Sequence, residues 1–458
     1  MGNPRIARLR DRMLTLISAV VAFGVLAGLI AGLASSTTYD AYHTLVDEGA
    51  VSVDAALRAR AAVLDHMGAA ATYLATTGPA HDAAYAQAIN SWDTYREQSR
   101  LSWRNISDPV QGEGSVYQAA DRAASDYIQQ IGAMFAYDRA GQKDQAGAAF
   151  LAARETLNSR LVPALGGLEA VKVEDMEATY AGAAGQITNW RYAVIAMTVL
   201  LSLILLGGLW AVRHMHYRWS WPLGIALLLT IAVGAWTQEQ LARAATEARV
   251  MVRDAHDTVA GVQDLAALLS QERALQSIAI FDPTHAATHL ASFEQYNFLV
   301  EQKLCGPTDC TATTFLSGPD TIDPQVEQAA LDAQAKFGLP RTPLIANVHF
   351  PGQAAEFEAL RQAYRTWLDQ HRNNLAQALA AGDVDAARTL STGSAATNFA
   401  AVVKAADAVR DTARTRFDDI WQTVYFTSTL DQGLALAFPA AGLLAAWGLW
   451  RRRTELFV

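Results

Sequence analysis

Four stretches of the chain, Met13 to Ala34, Tyr192 to Val212, Trp219 to Trp236 and Gly433 to Trp450, are apolar and almost free of charge. Each is about long enough to cross a hydrocarbon layer of ~30 Å as a helix. Arg5, Arg8, Arg10 and Arg12 precede the first, Arg213 and Arg218 lie between the second and third, and Arg451, Arg452 and Arg453 follow the fourth. Basic clusters at span ends mark the cytoplasmic side. Both termini and one short hairpin are therefore expected inside, as in a multi-pass protein of a bacterial plasma membrane. The predicted order is a basic N-terminus (1–12), a first span (13–34), an outer helical region (35–188), a second span (189–212), a cytoplasmic hairpin (213–218), a third span (219–236), a second outer region (237–432), a fourth span (433–450) and a cytoplasmic tail (451–458). Trp190, Trp210, Trp219, Trp221, Trp236, Trp447 and Trp450 fall near span ends, where indoles favour the interface. Gly32-Leu33-Ala34 resembles a signal-peptidase site, but 22 mostly apolar residues exceed a signal sequence's usual ~7–15, so the first span is expected to stay as an anchor.

Charge follows the same division. The chain has 36 Lys and Arg against 45 Asp and Glu, a formal net charge of −9. Its cytoplasmic pieces hold nine basic and two acidic residues, which leaves −16 on the remainder. A uniform basic coat for nucleic acid is excluded.

Each half reads as span, outer region, span, and the outer regions share a weak repeat. Ser91-Trp92-Asp93-Thr94-Tyr95 matches Ser292-Phe293-Glu294-Gln295-Tyr296, and Pro79-Ala80-His81 matches Pro283-Thr284-His285. Ala140-Gly141-Gln142-Lys143-Asp144-Gln145-Ala146 matches Ala381-Gly382-Asp383-Val384-Asp385-Ala386-Ala387. The second half carries an insertion within 301–352 that holds Cys305, Cys310, several prolines and a strand-like run from Thr342 to Phe350. Elsewhere apolar residues recur at three and four, as in Leu57, Leu64, Met67, Ala71 and Leu74, and breakers at Gly78-Pro79, Asp108-Pro109 to Gly114 and Gly141 divide the first outer region into four helices. The sequence thus predicts an all-α membrane protein: four transmembrane helices and two extracytoplasmic antiparallel four-helix bundles, produced by tandem duplication.

Membrane helices leading into an outer four-helix bundle with an Ala-Gly-Asp-x-Asp-x-Ala turn resemble the four-helix-bundle sensor domains of bacterial chemoreceptors and sensor kinases, here in tandem. That resemblance implies reception of a small ligand or a solute-binding protein outside and relay to a signalling protein inside. Such receptors continue into a coiled-coil output module, whereas the second span here leads into a six-residue loop and the fourth into an eight-residue tail. The four-span layout is also similar to the GlnX-type membrane signalling component of actinobacteria.

Gly24, Gly28 and Gly32 form one small-residue stripe, and Ala437, Ala441 and Ala445 with Gly433 another, suited to close helix packing either between spans or across a homodimer. Cys305 and Cys310 flank a Gly-Pro turn and are expected to form a disulfide. Trp92, Tyr95, Phe293 and Tyr296 are candidate ligand-stacking residues, although their repetition in both halves favours core packing. His81 and His285 suit helix N-termini better than a metal, and no metal site or cofactor is expected. Hydrolase, phosphate-loop, zinc-protease and dinucleotide motifs are missing from the sequence, so no enzyme is expected. A sensor or transducer with lipid, a homodimer or another membrane protein as partners is the leading expectation, and a structural subunit of a larger membrane complex is its rival.

Overall fold

The computed structural model describes residues 4–44, 50–104, 113–216, 220–250, 257–309 and 352–455, and among these no strand occurs. The helices are α1 (Pro4–His43), α2 (Val51–Ala75), α3 (Pro79–Arg104), α4 (Glu113–Arg139), α5 (Lys143–Thr156), α6 (Val162–His216), α7 (Trp221–Val250), α8 (Asp257–Phe281), α9 (Ala286–Asp309), α10 (Gln353–Gln370), α11 (Ala376–Ala380), α12 (Val384–Thr392), α13 (Ser394–Ala435) and α14 (Ala437–Glu455). Two π-turns, Leu157–Leu161 and His371–Leu375, follow α5 and α10. Most of the 301–352 insertion lies outside the described residues, including Cys310, the Cys305 side chain and the run from Thr342 to Phe350.

The fold is all-α. Four helical stretches are long and apolar enough to cross a membrane: Asp11–His43, Lys143–His214, Trp221–Glu247 and Gly433–Arg451. The chain divides into one unit of Met1–Asp47, Glu177–Met251 and Asp418–Val458, and a second of Glu48–Met176 and Val252–Phe417.

In the first unit α1 lies against α14 at glycine-to-glycine distance. A Cβ added to Gly24 would sit 3.2 Å from the Gly442 Cα and 3.0 Å from the Phe438 carbonyl oxygen. At Gly28 it would meet the Pro439 ring at 2.7 Å and the Ala435 carbonyl oxygen at 2.9 Å. Pro439 has no N–H to offer the chain before it, and the helical path is interrupted at Leu436, between α13 and α14. Ala441 and Ala445 are fully buried beside Val20, Ala27 and Ala31. At the far end of α14, Gly448 faces Ser220 and Pro222, and Trp447 packs edge-on against Trp221. Gly234 of α7 faces Thr198 of α6 so closely that a Cβ there would clash with the threonine side chain. Polar ties also cross this unit: the Tyr42 hydroxyl donates to the Ala244 carbonyl, and the Gln238 amide donates to the Arg191 carbonyl at 2.8 Å. Leu29, Leu33, Tyr192, Leu203, Trp210 and Leu228 stay exposed, an apolar exterior suited to lipid.

The second unit is organised around α2 and α8. Both helices are buried almost all round, with 19 buried residues between Thr258 and Ile280 alone, so neither has the single apolar stripe of a surface helix. They run parallel. Arg60 meets Asp264, Gly68 approaches Ser270 and the Thr72 hydroxyl meets that of Ser277, at separations near 204 residues, close to the offset that relates Ser91 to Ser292. Helices of both halves therefore share one core, in which Leu64, Tyr127, Phe150 and Leu157 are continuous with Leu265, Phe293, Leu360 and Trp367.

The repeated turns have matching geometry. Gly141 and Gly382 adopt φ of 74° and 75°, and the amides of Gln142 and Asp383 reach back to the carbonyls of Tyr137 and Ala378 at 2.9 Å, closing two Schellman-type helix ends. Only the second turn adds a side-chain cap, from Asp383 to the Ala386 amide. No atom lies within 4 Å of a Cβ built on Gly382. Gly382→Ala therefore tests backbone strain alone, and thermal unfolding followed by circular dichroism is expected to show a loss of about 1–2 kcal/mol.

Candidate ligand-binding cleft

A cleft of about 380 Å³ opens in the second unit between α2 and α3 of the first half and α8 and α13 of the second. Helical spacing builds each wall. Arg58, Ala61, Ala62 and Asp65 form one face of α2, and Thr94 and Gln98 one of α3. Val262, Gln263, Ala266, Leu269 and Ser270 come from α8, and Phe399, Val403, Ala406, Asp407, Arg410 and Arg414 form a stripe along α13. The floor is largely aliphatic and the rim is charged.

Most of these charges are mated. Arg58 pairs with Asp54 at 2.8 Å, and Arg410 with Asp407 at 2.7 Å and Asp411 at 3.0 Å. Asp65 instead accepts from two neutral donors, the Ser91 hydroxyl and the Gln87 amide. Burial pushes the Asp65 carboxyl up from its ordinary range, against the pull of those two bonds. Ser91 begins the repeated Ser91–Tyr95 segment. The matching segment at Ser292 has no such carboxylate, because Ala266 stands where the repeat offset would place one.

The opposite flank of the α2–α8 pair is nearly filled. A void of only about 10 Å³ remains beside Arg60, Leu64, Val162, Leu268, Gln271 and Tyr296. What closes it is a buried charge network: Arg60 pairs with Asp264 and, at 2.6 Å, with Glu169, while Lys303 reaches Asp264 at 3.2 Å. The side chains of Arg60 and Asp264 are 1% and 0% exposed, so both charges depend on their partners rather than on water. Burial raises the Glu169 carboxyl to about 7, opposed chiefly by the Arg60 charge.

A second polar cluster lies within the second half. The Tyr364 hydroxyl is 2.8 Å from Glu272 and 2.7 Å from the Asn297 carbonyl oxygen, and one hydroxyl hydrogen cannot serve both. Burial holds the Glu272 carboxyl far above its ordinary range, opposed by its hydrogen bond from Tyr364. The Asn297 amide then faces Glu301 at 3.3 Å, and Glu294 pairs with Arg372 at 2.6 Å. Burial lifts Glu301 to about 7. A group raised in the folded state contributes fully below its unfolded pKa and loses that contribution as pH rises through the folded value. Glu301→Gln is therefore expected to stabilise the fold at pH 8, by on the order of 2–3 kcal/mol, and to leave its stability unchanged near pH 4. Melting curves at the two pH values check this.

The sequence-derived candidates sit elsewhere. Trp92 stacks on Tyr95 at 4.8 Å, Phe293 stacks on His371 at 3.7 Å, and Tyr95, Phe293 and Tyr296 are core residues, 5%, 0% and 7% exposed. None of the four lines the open cleft; Tyr296 borders only the small void. Large rings within the core stripe of a helix fill volume, and here they do so on both sides of the repeat. His81 lies against Tyr73 at 3.7 Å, and His285 faces Asp282 at 3.0 Å. Among the described residues no group of His, Cys, Asp and Glu could hold a metal ion. Of the basic clusters, Arg12, Arg213 and Arg451 are exposed, with Arg451 over the Trp447 ring. Arg218 and the side chains of Arg5, Arg8, Arg10, Arg452 and Arg453 lie outside the described residues. No protein-family profile matches the chain, and no curated protein matches it.

Proposed function

We propose that the chain is a membrane sensor: its four spans hold it in a bacterial plasma membrane with both termini inside, and its second helical unit receives a small molecule outside. The positive clusters at the span ends support that orientation. The observation that carries the reading is the cleft at α2, α3, α8 and α13, since it lies where the two halves of the repeat meet. A ligand held by side chains from both halves favours one arrangement of them over another, which is what a receptor must convert into a signal. Helices α6 and α13 each supply residues to both units. Small shifts of packed helices, on the order of 1–2 Å, are the established currency of such relays. The signal would leave through a membrane partner or through an acidic protein or anionic lipid at the arginine clusters.

The test is a thermal-shift screen of the full chain, in detergent, against polar metabolites, repeated on Ala266→Leu, which fills the cleft wall. Compounds that stabilise the wild type and lose their effect on the variant support a receptor. A chain that no small molecule stabilises, and that purifies with a constant set of other membrane subunits, would instead be a structural component.

A further inference from the structure

Two charges in the cleft belong to no ion pair among the described residues. One is the Asp65 carboxylate, which is held by the neutral donors Ser91 and Gln87. The other is the exposed Arg414 guanidinium, whereas its neighbours Arg58 and Arg410 are both paired. The two lie apart along the cleft. The Arg273 guanidinium lies over the Phe399 ring, which fixes Phe399 toward the Ser270 end of α8. Gly68 faces Ser270, so Asp65, one turn earlier on α2, lies toward that same end. Arg414 stands four turns beyond Phe399, ~22 Å further along α13. Between them the wall is aliphatic, from Val262, Leu269 and Val403.

Resting on the receptor reading above, we propose that the cleft takes an elongated zwitterion, with an amine at Asp65, a carboxylate at Arg414 and an apolar stretch between. Each charged end replaces water with a charge-assisted hydrogen bond, and the middle covers aliphatic wall. The repeat's other flank cannot do the same, because Arg60, Glu169, Asp264 and Lys303 are paired with one another there and only about 10 Å³ of space remains. One ligand per chain is expected.

The experiment is calorimetric titration of the full chain in nanodiscs with straight-chain ω-amino acids of eight to twelve carbons, beside dodecanoate, which lacks the amine, and dodecylamine, which lacks the acid. Empty nanodiscs give the partitioning baseline. 12-Aminododecanoate, whose extended length best matches the cleft, is expected to bind at one per chain and at least about tenfold more tightly than either control. Asp65→Asn should remove its advantage over dodecanoate, and Arg414→Gln its advantage over dodecylamine. Both substitutions are near-isosteric or exposed, and unchanged melting curves confirm that each variant folds. Equal binding of the zwitterion and its controls, or discrimination that survives both substitutions, overturns the assignment. If none of the series binds while the metabolite screen yields ligands lost on Ala266→Leu, the zwitterion is wrong and the receptor stands; if neither yields a ligand, both fail.

Discussion

Arg60→Met is expected to be the most destabilising single change in the second unit. Methionine keeps the aliphatic stem in place but leaves Asp264 and Glu169 buried without the guanidinium that joins them, while Lys303 stays beside Asp264. Removing one partner of a buried ion pair costs about 3–5 kcal/mol, because the remaining charge has neither water nor a mate. The effect has a pH signature. Arg60 is the main influence holding Glu169 down to about 7, so without it the carboxyl rises further and is neutral near pH 5. The loss should therefore be larger at pH 8 than at pH 5, as read from tryptophan-fluorescence melting in detergent at both values. A uniform loss across that range would mean that Glu169 does not take part in the network.

Gly28→Ile should be the most damaging change in the first unit. Its Cβ would lie within 2.9 Å of the Pro439 ring and the Ala435 carbonyl oxygen, neither of which can rotate away. Spans gain no hydrophobic drive against one another and hold together through close packing, so forcing α1 and α14 apart removes what joins them. A loss of about 3 kcal/mol or more is expected, at the upper end of overpacking effects. Gly32→Ala is the control: its nearest neighbour, the Ala435 Cβ, is 3.9 Å away, an ordinary contact. Size-exclusion and melting profiles of the two variants should differ sharply. Because the glycine stripe meets α14 of the same chain, neither substitution is expected to act through a change of oligomeric state.

The spans could be read directly because hydropathy is a local property, and so could the helix ends at Gly78-Pro79, Gly141 and Gly382, where one residue's backbone preference decides the outcome. The cleft could not be read this way. Arg58 and Asp65 come from α2 and Arg410 and Arg414 from α13, and no local pattern announces that these helices line a common space. Their meeting depends on α2 packing in parallel with α8. The available clue was that Ala69-Ala70-Ala71 and the residues around Leu265 to Leu269 are apolar on every side of their helices, which marks both as central. Charges inside such runs, Arg60, Asp264 and Glu272, were a second clue, since they are tolerated only with partners. Trp92 and Phe293 were ambiguous by themselves, because repeated aromatics look the same in a pattern whether they face a ligand or a core; their repetition in both halves favoured the core, where they lie.

The central claim is that occupation of the cleft changes how the spans pack. Hydrogen exchange of the full chain in nanodiscs, with and without a ligand whose binding is lost on Ala266→Leu, tests it most directly. The account predicts slower exchange in α2, α8 and α13 around the cleft, together with altered exchange in α1 and α14 near Gly24 and Gly442. Protection confined to the cleft, with both spans unchanged at saturating ligand, would contradict it.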